Sequence, residues 1–108
     1  MVEIPFSEFQ NLDMRIGKIV SVEDIPNSRN LYKIRVDFGE EERIAVAGLK
    51  NHYSPNELLD KKFAFILNLE RRKVMGIESE CMIFAAVDEG NISLLRADKE
   101  VMEGSKIR

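Results

Sequence analysis

The clearest pattern in the chain is the alternation from Leu31 to Phe38. Tyr32, Ile34, Val36 and Phe38 are apolar, and Lys33, Arg35 and Asp37 between them are polar. A period of two places the apolar set on one face, which predicts a half-buried β-strand. Gly39 and the acidic run Glu40 to Glu42 form a hairpin connection, and Arg43 to Ala47 returns as the next strand. If these two pair, Lys33, Arg35 and Arg43 lie near each other on one exposed sheet face. Upstream, Met14 to Val22 reads as a first strand, with Ile16, Lys18, Val20 and Val22 on one face and Arg15, Gly17, Ile19 and Ser21 on the other. Gly17 inside it predicts a bulge or tight bend of the kind barrel closure requires. Ile25 to Asn30 is a loop built on Pro26, Asn27 and Ser28. Lys62 to Asn68 is a fourth strand, apolar on both faces, with Phe63, Phe65 and Leu67 on one and Ala64 and Ile66 on the other. Its second face needs cover from a helix of the chain or from a second subunit. Met82 to Val87 is a fifth strand and Ile92 to Leu95 a further short one, followed by a turn at Gly104 and a last extended piece to Arg108.

Two short helices complete the reading. Ser7 to Leu12 has Ser7 as its cap and sets Phe6, Phe9 and Leu12 against the body. Ser54 opens a second, ending near Leu59, with Pro55 in its first turn and Glu57 closing a capping box. Five principal strands, a helix between the third and fourth, and a glycine in the first predict an all-β fold. The architecture is a five-stranded OB-type Greek-key barrel with short helices and N- and C-terminal extensions. In that architecture the ligand surface is formed by the second and third strands with the loops joining strands one to two and four to five. Lys33, Arg35 and Arg43, the Asn27 to Asn30 loop and the Arg71 to Ser79 loop converge there.

Composition narrows the function. At 108 residues, with 44% hydrophobic and 32% charged residues, the chain is one globular domain spanning 1–108. No apolar run approaches the ~20 residues of a membrane helix, and the N-terminus lacks a signal-peptide pattern. One cysteine and one histidine exclude an internal disulfide and a zinc site built from these ligands, and point to a reducing, cytoplasmic setting. His52 has no visible acid or cysteine partner, so the expectation is a non-catalytic protein without cofactor or metal. The net charge is −3, yet residues 61–75 hold Lys61, Lys62, Arg71, Arg72 and Lys73 against Glu70 alone. A local positive patch on an acidic body steers a polyanion selectively and in a salt-sensitive way.

The chemistry gathers in the stretch Asn68 to Met82, N-L-E-R-R-K-V-M-G-I-E-S-E-C-M. Arg71 and Arg72 present planar forks to phosphate oxygens and Lys73 a mobile point charge; a loop can splay all three toward one backbone. Gly76 lets the loop approach a ligand, or merely serves the turn. Asn68 and Ser79 offer neutral hydrogen bonds to a ribose hydroxyl or base edge, though Ser79 is equally suited to a nearby backbone group. Met82 can pack on a base or sugar and otherwise reads as core, like Cys81. Glu78 and Glu80 read as solvated, able to limit non-specific phosphate binding. There is no Trp, and the six phenylalanines read mostly as core. That favours a folded RNA recognised by shape and backbone over stacking of a loose strand.

Four stretches in order, Leu12 to Glu23, Pro26 to Gly39, Val46 to Leu49 and Asn68 to Met82, resemble the tRNA-binding domain family. That family includes the C-terminal appendix of methionyl-tRNA synthetases, stand-alone tRNA-binding proteins and CsaA-type export chaperones. The resemblance covers about Phe9 to Arg108. It implies an OB barrel, structure-specific tRNA binding, and a homodimer formed through the terminal extensions, free or as the partner of an aminoacyl-tRNA synthetase. It places tRNA contacts on Asn68, Arg71, Arg72, Lys73, Gly76, Ser79 and Met82, with Lys33 on the adjoining strand. Cys81 stands where the family often has glycine, and Asn30 where it often has lysine. A peptide-binding chaperone of the CsaA type, using an apolar groove rather than the basic loop, is the alternative the same resemblance implies.

Overall fold

The strand β1 (Met14–Asp24) runs the length of the barrel and pairs antiparallel on both of its edges, with β2 (Tyr32–Asp37) and with β4 (Lys62–Ile66). β3 (Glu42–Ala47) extends the sheet beyond β2, and β7 (Met82–Ile83) extends it beyond β4, giving the order β3-β2-β1-β4-β7. The stretch just before β7 then returns to β3, so the five strands form a nearly closed OB-type barrel. The computed structural model describes residues 1–108.

The alternation in β2 is realised as predicted: Tyr32, Ile34, Val36 and Phe38 are all buried. They meet Ile19, Leu58, Phe63 and Phe65 in one cluster, with the Phe38 and Phe65 rings edge to face at 5.4 Å. The Tyr32 hydroxyl donates to the Tyr53 carbonyl at 2.8 Å, and the Tyr53 hydroxyl accepts from the Leu94 N–H at 3.1 Å. Both phenols, one buried and one half-buried, are thereby satisfied.

β1 departs from simple alternation, and not where its glycine suggested. The bulge lies between Ile19 and Ser21, at Val20 rather than Gly17. It shifts the parity of the strand, so Ile19 faces Val36 and, three residues on, Val22 faces Ile34. Gly17 serves close approach instead: a Cβ there would stand 2.5 Å from side-chain carbons of both Val36 and Phe38.

Three further expectations are corrected. Ala64 and Ile66, on the second face of β4, are only 7% and 5% exposed in the single chain. The chain itself buries them without a second subunit, and it also returns along the edge of β4, with the Ala64 N–H donating to Leu95 O and the Phe84 N–H to Ala64 O. The expected fifth strand breaks at Phe84 into β7 and β8 (Ala85–Asp88), and β8 forms its own hairpin with β9 (Asn91–Leu94). Helix α1 spans Phe6–Gln10, one residue earlier than expected, with Pro5 at its N-cap and no side-chain cap from Ser7. Its Phe6 is 69% exposed and stacks only on Phe9.

Helix α2 (Pro55–Leu58) begins as predicted, with the Ser54 N–H donating to Glu57 Oε1 at 2.8 Å. The C-terminus is a strap on β1. Gly104 N–H donates to Ile16 O, Ile16 N–H to Ser105 O and Ile107 N–H to Met14 O, all within 2.8 to 2.9 Å. Lys62 clips the strap down through Glu100, Glu103 and the Val101 carbonyl.

Two outcomes test this packing. Gly17→Ala overpacks the core against Val36 and Phe38, so it should cost about 2 kcal/mol, a fall of roughly 10 °C in Tm. The strap should loosen in acid. Backbone and Lys62 hydrogen bonds hold the Glu103 carboxyl below its ordinary 4.5, and Glu100 and Glu103 raise Lys62 above 10.5. A depressed carboxyl contributes stability above its unfolded pKa that is lost as pH falls through the folded one; a raised amine does so below 10.5. Amide NMR of Gly104, Ser105 and Ile107 should therefore stay constant from about pH 5 to 10 and shift below about pH 4.

Candidate nucleic-acid interface

The basic stretch is not an open loop but a hairpin. β5 (Arg72–Val74) and β6 (Ile77–Ser79) pair Arg72 with Ser79, Lys73 with Glu78 and Val74 with Ile77. Met75 and Gly76 form the two-residue turn with φ of 53° and 81°, the pair of positive φ that a type I′ turn requires. Nothing lies within 4 Å of a Cβ added at Gly76, so the turn alone explains the glycine.

Pairing divides the three cations. Arg72 shares one hairpin face with Val74 and Ser79, and Lys73 shares the other with Glu78. Arg71, just outside the hairpin, turns to Glu80, its Nη1 3.0 Å from Oε2. The run therefore does not splay toward one point. Arg72 and Lys73 are exposed and form no ion pair with any carboxylate.

Beside Arg72 lies a groove floored by Val46, Leu69, Val74 and Met82 and edged by Ser79 and Glu70. Met82, 47% exposed, belongs to this groove and not to the core. Lys33 stands directly across from Val46 in the β2–β3 pair, with Glu23 4.0 Å away. Lys33, Arg72, Ser79 and Met82 are thus brought to one side of the barrel. Asn68 is not: its Oδ1 accepts from Asp13 N–H and its Nδ2 donates to Asn11 O, tying the end of β4 to the N-terminal segment. Arg43 is a correction. It sits opposite Val36, on the inward parity, and does not share the face of Lys33 and Arg35. Its Nη1 donates to Leu67 O at 2.7 Å and Glu80 O at 3.3 Å, capping the end of the barrel. The β1–β2 loop is held by Lys50, which reaches Ser28 O and Asp24, while Arg29 remains exposed.

The barrel's last seam is made by side chains. β3 has no strand partner on its outer edge, and Ser79 and Glu80 fill that place. Ser79 Oγ accepts from Val46 N–H at 3.2 Å and donates to Cys81 O at 3.2 Å. Glu80 N–H donates to Ile44 O at 2.7 Å, and Glu80 Oε1 accepts from Ile44 N–H at 2.9 Å. Glu80 is therefore no solvated charge but half-buried at the seam, an assignment that nothing in its sequence context announced. Cys81 behind it is buried, and desolvation pushes its thiol up to about 12, so it stays protonated and inert. No group of three or more His, Cys, Asp or Glu side chains is placed to hold a metal.

A groove with an apolar floor, an unpaired arginine on its wall and a serine hydroxyl at its edge suits a phosphodiester polymer. The sequence pattern of the family described as "Putative tRNA binding domain" matches residues 14–106. The chain belongs to the tRNA-binding domain family. Methionine–tRNA ligase of Pyrococcus horikoshii is 48% identical to this tRNA-binding domain over 108 residues, all of the domain but 15% of the ligase. The domain thus spans about a seventh of the ligases it matches. Among solved structures, a MetRS-related protein from Pyrococcus horikoshii is similar at a TM-score of 0.93 and 36% identity, with both chains fully covered. The chaperone CsaA from Bacillus anthracis is similar at 0.88 and 28% identity, covering 99% of the domain and all of that chain.

Removing the side-chain seam should open the barrel edge. Glu80→Ala leaves the Ile44 N–H without its partner and should cost about 2 kcal/mol; Ser79→Ala should cost about 1 kcal/mol. Urea denaturation of the two variants checks the order.

Proposed function

We propose that this tRNA-binding domain is a non-catalytic module that holds folded tRNA through its backbone and leaves chemistry to another protein. The observation that carries the reading is the pair Arg72 and Lys73, exposed and without carboxylate partners, on a hairpin beside the Met82 groove. Arg72 lies above the groove with Ser79 and Met82, Lys33 extends the positive strip along the sheet, and Lys73 reaches a second stretch of backbone from the far face. Gly76 and Asn68 act through shape, one by turning the hairpin and the other by tying the end of β4 to the N-terminal segment. Contacts of this kind read backbone geometry rather than base sequence.

The module works as a cytoplasmic homodimer, free or auxiliary to an aminoacyl-tRNA synthetase, methionyl-tRNA synthetase first among them. Similarity to methionine–tRNA ligases supports the synthetase association. Val2, Ile4, Phe6, Val87 and Met102, all largely exposed in the single chain, support a subunit contact built from the termini and the β8–β9 hairpin. Two copies place two basic hairpins on one particle, raising affinity if both engage one tRNA. Sedimentation should give about twice the monomer mass, and Phe6→Asp with Val87→Asp should reduce it to one.

Fluorescence anisotropy with a tRNA transcript, against unstructured RNA of equal length, tests the binding role. Wild type should prefer tRNA with a log-log salt slope of about −0.7 to −0.9 per phosphate contacted. Arg72→Glu/Lys73→Glu should lose both affinity and about two contacts of slope. The likeness to CsaA supports a second reading, capture of unfolded peptides in an apolar groove. Equal binding of both RNAs, with the double variant unchanged and unfolded peptide bound at high salt, would establish that reading in its place.

A further inference from the structure

Glu80 uses each of its carboxylate oxygens for a different purpose. Oε1 accepts from Ile44 N–H at 2.9 Å, and Oε2 accepts from Arg71 Nη1 at 3.0 Å. Its backbone is pinned as well, with N–H on Ile44 O at 2.7 Å and O receiving Arg43 at 3.3 Å. An exposed ion pair ordinarily contributes little, because two mobile side chains must be ordered to make it. Here one partner is already immobilised by the barrel seam, so only Arg71 must be ordered. Arg71 lies next to Arg72, the cation over the groove, yet it is turned away from it. The neighbours Arg72 and Lys73 have no such carboxylate.

We propose that Glu80 is a charge latch: it withholds Arg71 from RNA and so fixes how many phosphates the hairpin neutralises. The proposal rests on the RNA-binding reading of this hairpin and adds to it a residue that sets affinity without touching RNA. Its physical content is a competition. A phosphate must displace the Glu80 carboxylate from Arg71, and that carboxylate cannot swing away without releasing Ile44 N–H. Arg71 is therefore the one cation of the run whose contribution depends on an acid in the barrel wall.

Glu80→Gln separates the two jobs. The amide oxygen can still accept from Ile44 N–H, so the seam stays closed. The NH2 group then occupies the side facing Arg71, and it can only donate. Arg71 also only donates, so it is released. The expected result, with an unmodified tRNA transcript as probe, is a tighter complex, about fivefold at 0.15 M salt, and a log-log slope steeper by about one phosphate contact. An unstructured RNA of equal length should gain by a similar factor, because a backbone contact reads no shape. Arg71→Ala should then cost more in the E80Q background than in the wild type, since only there is Arg71 free to engage. Protection of the Ile44 amide from hydrogen exchange should persist in E80Q and fall in Glu80→Ala, which shows that the gain is not a consequence of a loosened barrel.

The latch is overturned if wild type binds tRNA with a clear salt slope but E80Q leaves affinity and slope unchanged or weaker while the Ile44 amide stays protected. It is equally overturned if Arg71→Ala costs the same in both backgrounds. A wild type that shows no preference for tRNA and no salt slope is a different result, because it removes the RNA-binding reading itself. Should E80Q lose Ile44 protection, Arg71→Gln, which removes the cation and leaves Glu80 on the seam, supplies the second measurement: under the latch its slope equals that of the wild type, and a shallower slope overturns it.

Discussion

A five-stranded barrel has one difficult seam, where the sheet must close on itself with strands too short and too curved to pair regularly. In this domain the seam runs between β3 and the residues leaving β6. It is held by a glutamate behaving as a strand. Glu80 gives Ile44 both an N–H and an acceptor, reproducing the exchange of hydrogen bonds between paired residues with one backbone group and one carboxylate oxygen. Ser79 does the same for Val46 with a hydroxyl. The position of the basic hairpin, the floor of the groove and the burial of the core beneath all follow from that closure. Arg43 reinforces it from the barrel end by binding the carbonyls of Leu67 and Glu80 together, so that the exits of β4 and β6 cannot separate.

Seam residues and the proposed RNA contacts are therefore interleaved. Four consecutive residues from Glu78 to Cys81 face a cation, an edge amide, a second edge amide and the core in turn. Charged groups so close to a seam are held in place without a ligand, since the hairpin has little freedom to fold away from the barrel. The type I′ turn adds to this by matching the twist of its strands. A surface built this way offers the same spacing of charges to every RNA it meets, which suits selection by the shape of the partner rather than by its sequence.

Much of this was legible in the sequence where one period decided the outcome. β2 alternates cleanly, and its three apolar residues, with Phe38 just beyond it, are all inside. The capping pattern at Ser54 to Glu57 is local, and the helix starts there. What the sequence did not show were features fixed by register between distant segments. Arg43 reads as one more outward cation until the hairpin register pairs it with Val36 and puts it on the inward parity. Gly17 signalled irregularity in β1, but the irregularity fell at Val20, and the glycine answers instead to the two side chains packed over it. Glu80 looked like a solvated acid because its partners lie 36 residues away along the chain for Ile44 and nine for Arg71. The hairpin itself was missed because three-residue strands give no measurable period. Helical spacing with Phe9 and Leu12 sets Phe6 against the body, yet spacing does not say whether a surface is there to receive it, and Phe6 stays exposed.

The single sulfhydryl of the chain sits directly behind the seam, walled off by the residues that close it. Its proton is held so firmly that alkylating reagents find no thiolate while the barrel is shut. Any opening between β3 and β6 exposes Cys81 to water and returns it toward ordinary acidity. The domain thus carries its own clock for breathing at the edge that matters most to its architecture, and the rate at which an iodoacetamide label accumulates measures how often that edge lets go.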